Sequence, residues 1–137
     1  MLFAGQLATA GCAGLFGRAP EDREIAVNLN VSRSEAVRRT LATFRAQGYE
    51  LRETLTGGLE PETKPFRERD DAEAVFRAKI SGSDRAARVV FSGTYRKLQL
   101  RGAVRGPERV VSRGDAPLEQ ALWSRLHDLA LDLRGPR

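Results

Sequence analysis

Ala74-Val75-Phe76-Arg77-Ala78-Lys79-Ile80, followed by Gly82-Ser83-Asp84 and then Val89-Val90-Phe91-Ser92-Gly93-Thr94-Tyr95, is the passage that decides the fold. In the first run Ala74, Phe76, Ala78 and Ile80 alternate with Val75, Arg77 and Lys79; in the second, Val89, Phe91, Gly93 and Tyr95 share one parity. Successive side chains of a strand point to opposite faces, so each run is a strand with one buried side. Gly82-Ser83-Asp84 supplies a turn, and the two strands form an antiparallel hairpin.

Upstream, Ile25, Val27, Leu29 and Val31 alternate with Ala26, Asn28 and Asn30, a further half-buried strand. Ser32 with Glu35 three residues on has the spacing of a capping box, and Val37, Leu41 and Phe44 recur at helical spacing until Gly48, which predicts a helix over 33–47. Residues 49–56 read as a second strand, and residues 57–71, with two prolines, two glycines and dense mixed charge, as a mobile connection. Downstream, 98–104 and 108–112 are shorter strand candidates broken at Gly106-Pro107. Asp115 and Pro117 open a last helix with Leu118, Leu122, Leu126, Leu129 and Leu133 on one stripe and Trp123 and Ala130 at its margin, ending near Gly135-Pro136.

The order β-α-β-β-β-β(-β)-α leaves two helices with apolar stripes to cover. Laying both on one face of an antiparallel sheet of four to six strands does so in two layers, an α+β sandwich. The other face then carries Asn28, Asn30, Arg77, Lys79, Ser92, Thr94 and Arg96, and is polar.

The chain of 137 residues has room for one core, and with 41% hydrophobic and 30% charged residues it should fold. Its net charge of +5 comes from 23 basic residues, of which only Lys64, Lys79 and Lys97 are lysine. Charge alone does not choose among nucleic acid, anionic headgroups and acidic polymers as partners. One cysteine and one histidine cannot make a structural zinc cluster or an internal disulfide, and neither a metal nor another cofactor is expected.

The search for chemistry returns little. His127 has only Asp128 beside it, which a helix turns about 100° away, so it reads as a surface histidine. Asp70, Asp71 and Glu73 lack a calcium loop and read as a charged lead into a strand; Glu60 and Glu62 read as solvated. No Gly-x-Gly-x-x-Gly or Gly-x-Ser-x-Gly occurs, and Gly57-Gly58 lacks a phosphate-loop lysine. No catalytic residue is assigned, and the domain reads as non-enzymatic. Arg101, Arg105, Arg109 and Arg113 recur every fourth residue. Gly102, Gly106 and Pro107 forbid a helix there, so the spacing puts them on alternate faces of a hairpin, as a solvated edge or a patch for an anionic partner. No aromatic residue is interleaved for base stacking, and nucleic acid is not the expected partner.

Cys12 closes the short uncharged run Leu7-Ala8-Thr9-Ala10-Gly11 and is followed by Ala13 and Gly14. The run resembles the lipobox of bacterial lipoproteins. That resemblance implies that residues 1–11 are a removed signal, that the Cys12 thiol takes diacylglycerol and its freed amine an acyl chain, that 12–23 is a tether, and that 24–135 is a single domain. It places the protein in the bacterial envelope, with Ala13 similar to residues that sort lipoproteins to the outer membrane, facing the periplasm. The basic n-region of such a signal is missing, and translation from an upstream start would supply it. The alternative is a cytosolic chain in which Cys12 is a small buried hydrophobe.

Together with the lipobox, the element order resembles small helix-grip-like envelope domains such as those of the C component of the outer-membrane β-barrel assembly machine. Ser34-Glu35-Ala36-Val37 through Gly48-Tyr49-Glu50-Leu51 is similar to their helix-Gly-strand step. The resemblance carries over no site residue, and fold analogy alone assigns no function. The expected function is that of a lipid-anchored scaffold meeting an envelope protein, with a homodimer also open. Two alternatives remain. One is a small-ligand pocket between helix and sheet, which Phe44, Phe76, Phe91 and Trp123 would fill; the other is a basic nucleic-acid-associated protein of the cytosol.

Overall fold

The computed structural model describes residues 20–53, 59–69, 71–99 and 103–135. A short 3-10 turn at Pro20–Asp22 precedes β1 (Ile25–Leu29), α1 (Arg33–Ala46), β2 (Phe66–Arg67), β3 (Ala72–Ser83), β4 (Ala86–Gln99), β5 (Val104–Arg105), β6 (Arg109–Val110) and α2 (Pro117–Arg134). The class is α+β: a six-stranded antiparallel sheet with two helices. The β3–β4 hairpin is its centre, in register from Ala72 opposite Lys97 to Ser83 opposite Ala86. Both strands continue past the expected Gly82-Ser83-Asp84 turn, and the chain reverses at Asp84-Arg85 instead.

The second edge of β4 is shared out along its length. β1 takes Ala87 to Phe91, β6 takes Thr94 and Tyr95, and β5 takes Leu98 and Gln99. The candidate strand 98–104 is therefore two strands, since Leu98 and Gln99 end β4 and Val104 and Arg105 fold back onto them. At the 3-10 turn, the Asp22 carbonyl accepts from the Arg113 N–H at 2.7 Å, so the ordered fold reaches into the segment read as tether.

α1 packs on β3 and β4, and α2 on β1 and β4. The expected stripe of α2 is buried from Leu118 to Leu133, together with Ala130. The expected stripe of α1 is turned by part of a step: Ala36, Thr40, Thr43 and Phe44 are buried, while Val37 and Leu41 are only half-buried. Small side chains let the helix approach the sheet closely, so the contact follows Ala36 and Thr40 rather than the larger apolar neighbours. The helix starts at Ser32, whose hydroxyl accepts from the Glu35 N–H at 3.2 Å. Glu35 does not return the bond as a capping box would. Its carboxylate takes charge-assisted bonds from Arg38 and Arg39, which hold it below its ordinary range.

The segment after α1 departs from the sequence reading. Of the second strand expected over 49–56, the described part, residues 49–53, forms a single bridge between Leu51 and Thr63, and residues 54–56 lie outside the described residues with Gly57-Gly58. Leu59 to Arg67, read as a mobile connection, instead lies along the free edge of β3. The Ile80 and Ala78 N–H groups donate to the Leu59 and Pro61 carbonyls. Thr63 donates its N–H to the Phe76 carbonyl and accepts the Phe76 N–H on its hydroxyl. Glu62 faces Arg77 and Phe66 faces Ala74, so the outer strand carries one extra residue, a bulge. Pro61 and Pro65 offer no N–H, which is why no regular ladder forms there and why the composition reads as loop.

Phe44, Phe76 and Phe91 fill the space between α1 and the sheet, with Tyr49 and Phe66 beside them in edge-on contacts at 4.9–6.2 Å between centroids. Gly93 lies directly across from Phe76, and the ring lies over it. A Cβ there would sit 2.6 Å from Phe76 Cδ1 and 3.1 Å from the Val75 carbonyl oxygen. Gly93→Ala should therefore cost about 2 kcal/mol through displacement of Phe76, read as a lowered urea midpoint at unchanged slope. The opposite sign is expected at Thr40, whose fully buried hydroxyl has no partner. Thr40→Val should raise stability by about 1 kcal/mol in the same assay, because a near-isosteric methyl removes the unsatisfied group.

Candidate functional site

Among the described residues no helix covers the second face of the sheet, which is therefore called the open face. Along β4 it presents Arg88, Val90, Ser92 and Thr94, flanked on β3 by Glu73, Val75, Arg77 and Lys79, and on β1 by Ala26 and Asn28. The polar face expected from the sequence is thus assembled, with half-buried valines set into it. Glu21, Arg23 and Glu24, just before β1, form a wall beside β4 and make two adjoining grooves. One, of about 280 Å3, runs over Ala26, Arg88 and Val90, and the other, of about 250 Å3, over Arg77, Ser92, Thr94 and Val110. Val110 is 49% exposed there. Hydroxyls, guanidinium groups, carboxylates and valines lined along one strand suit a peptide or protein surface of mixed polarity.

Much of the charge on this face is already matched. Glu62 receives Arg77 at 3.0 Å and Arg52 at 3.7 Å, and Glu73 receives Arg105 at 3.6 Å. Glu62, read as solvated, is therefore an ion-pair centre, which the bulged edge brings under Arg77. Arg96 reaches the Gly106 carbonyl and Glu108. The register separates Arg105 from Arg109. Arg105 sits opposite Leu98 and, through Glu73, belongs to the open face. Arg109 sits opposite Tyr95, a residue of the helix-side core, and Arg113 follows β6 with its N–H on Asp22. Arg101 lies outside the described residues, as do Asp70 and Cys12. His127 is exposed on α2, and Trp123 packs half-buried against the core. Among the described residues no three His, Cys, Asp or Glu side chains are grouped to hold a metal ion, and no helix is long and apolar enough to cross a membrane.

A second cluster joins residues distant in sequence. Glu68, at the turn after β2, is buried, and its Oε1 meets Arg125 Nε of α2 as an ion pair whose alignment falls short of a geometric hydrogen bond. The Arg125 guanidinium also lies close enough to the Tyr49 hydroxyl to favour its ionised form. Burial pushes the Tyr49 phenol above its ordinary range, against the opposing pull of Arg125. The cluster ties the end of α1, the β2–β3 turn and α2 together. No pattern in the sequence announces it, because an ion pair formed over such a separation depends on how α2 lies across the sheet.

Neither protein-family models nor curated proteins match this chain.

Two outcomes are expected at the cluster. Arg125→Ala should cost about 2 kcal/mol by leaving the Glu68 carboxylate buried and unpaired, less than for a fully buried pair because the guanidinium is half in water. Tyr49 has a folded pKa above its unfolded value, so its contribution is complete below pH 10 and is lost as pH rises through the folded pKa. Stability of Tyr49→Phe should therefore fall less steeply on the alkaline side, as measured by denaturation at a series of pH values.

Proposed function

We propose that this protein is a lipid-anchored envelope protein whose domain acts without catalysis, as an accessory or scaffold that docks a protein on its open sheet face. The anchor rests on Cys12 at the close of Leu7-Ala8-Thr9-Ala10-Gly11, where lipidation would use the thiol and the freed amine. The docking role rests on one observation: the helices cover one side of the sheet, while the other carries continuous grooves beside β4 lined by side chains of both charges and by half-buried valines. The fully buried Phe44, Phe76 and Phe91 occupy the space that a ligand between helix and sheet would need, and weigh for a surface role over a pocket.

Mass spectrometry of the protein from its native membrane tests the anchor. The expected result is a mature N-terminus at Cys12 carrying acyl chains, absent in Cys12→Ser. A chain beginning at Met1 in the soluble fraction would overturn it, and salt-dependent binding to nucleic acid in that fraction would favour the cytosolic alternative. For the docking role, Ser92→Arg with Thr94→Arg should abolish recovery of the partner that cross-links to the wild-type grooves, with folding unchanged. Recovery that ignores these substitutions would remove the open face from the function.

A further inference from the structure

The two outer edges of the sheet are built differently. Beyond β3, the edge is short, bulged, interrupted by Pro61 and Pro65, and overlaid by Leu51 through its bridge to Thr63. These are the devices by which natural sheets prevent further pairing. The other edge is β1, the terminal strand of the order β1-β4-β3-β2. From Ile25 to Val31 it contains no charge, proline, glycine or bulge, and among the described residues no strand lies on its outer side.

The helix above this edge is also unfinished. α2 packs on β1 and β4, with α1 on its inner side, where Gln47 reaches Asp132 and Tyr49 reaches Arg125. Helical spacing puts Trp123, His127, Leu131 and Arg134 on the opposite flank, overhanging β1. Trp123 is only partly buried and Leu131 is 49% exposed.

The geometry points to a second copy of this chain as the occupant, joined antiparallel through β1 about a two-fold axis at Val27. In that register Ile25 faces Leu29 of the second copy on the helix side, and Ala26 faces Asn28 on the open side. In the same register Glu24 faces the uncharged Asn30 of the second copy. A parallel pairing would set Glu24 beside Glu24 and is disfavoured. The axis also brings the Trp123–Leu131 flanks of the two α2 helices to the same side of the joined sheet, giving the isologous, self-complementary contact of a closed dimer.

The full-length Cys12→Ser chain tests this without lipid, so the outcome is independent of the anchor. Sedimentation equilibrium should show a dimer. Ala26→Cys and Asn28→Cys chains in that background, mixed and exposed to oxidised glutathione, should cross-link to each other, while neither does so alone, because like positions lie diagonally across the axis beyond disulfide reach. Ala26→Lys with Asn28→Lys should raise the dimer dissociation constant at least about tenfold by setting like charges across the edge, with the circular dichroism spectrum unchanged. A monomer at every attainable concentration, cross-linking as fast for either variant alone as for the mixture, or a dissociation constant indifferent to the two lysines would overturn the proposal.

Discussion

The hydrogen-bonding capacity of β4 is the constraint on which the rest of the sheet depends. From Ala86 to Lys97 it pairs continuously with β3 on one side, while its other side is divided among β1, β6 and β5. A strand partnered on both edges must bury one face along its whole length, and the alternation of Val89, Phe91, Gly93 and Tyr95 does so. Where β1 stops and β6 has yet to begin, the Gly93 carbonyl takes the Val111 N–H at 2.9 Å, so the change of partner leaves that acceptor satisfied. The same residue gives up its side chain to the Phe76 ring. Backbone pairing and core packing therefore meet at one position.

From Phe76 the packing spreads to Tyr49 and Phe66, and from Tyr49 it passes into the polar contacts of Arg125 and Glu68. The order matters energetically. The aromatic rings remove water from Tyr49, and the buried Glu68 carboxylate beside it needs a cation close by. Arg125 supplies it from α2 while its own stem stays partly in water, so the arrangement fixes how α2 lies without fully burying two charges.

What could be read from the sequence follows the range of each interaction. The hairpin, the Ser32 cap and the leucine stripe of α2 depend on neighbours within a few residues, and their periodicity is visible directly. The face of α1 was legible only in part, because Thr40 is chosen for burial by closeness to β3 and β4 rather than by its own hydropathy. The edge from Leu59 to Arg67 was hidden for a different reason: its pairing uses carbonyls and the Thr63 hydroxyl, and prolines that would mark a loop can still offer acceptors. The Glu68–Arg125 pair was beyond reach, since charges of either sign are common along this chain and only the tertiary fold selects two of them. The fourfold spacing of the arginines gathers no single patch, because strands and turns send Arg105 and Arg109 to different faces, the alternation that Gly106-Pro107 implies.

With a lipid on Cys12, the short stretch between it and the first turn would link the proposed anchor to the proposed assembly. Seven residues separate Cys12 from Pro20, and these eight Cα steps can span at most about 29 Å, so a lipid at Cys12 would hold the Pro20–Asp22 end of the domain near the bilayer. In an antiparallel pair of β1 strands the two Ile25 residues are offset along the strand by about 13 Å. That offset is shorter than either reach, so two anchors can share one membrane while the sheet remains joined. The grooves along β4 begin at this same end, beside Glu21, Arg23 and Glu24. A partner seated on the open face would then be held within a few nanometres of the membrane surface.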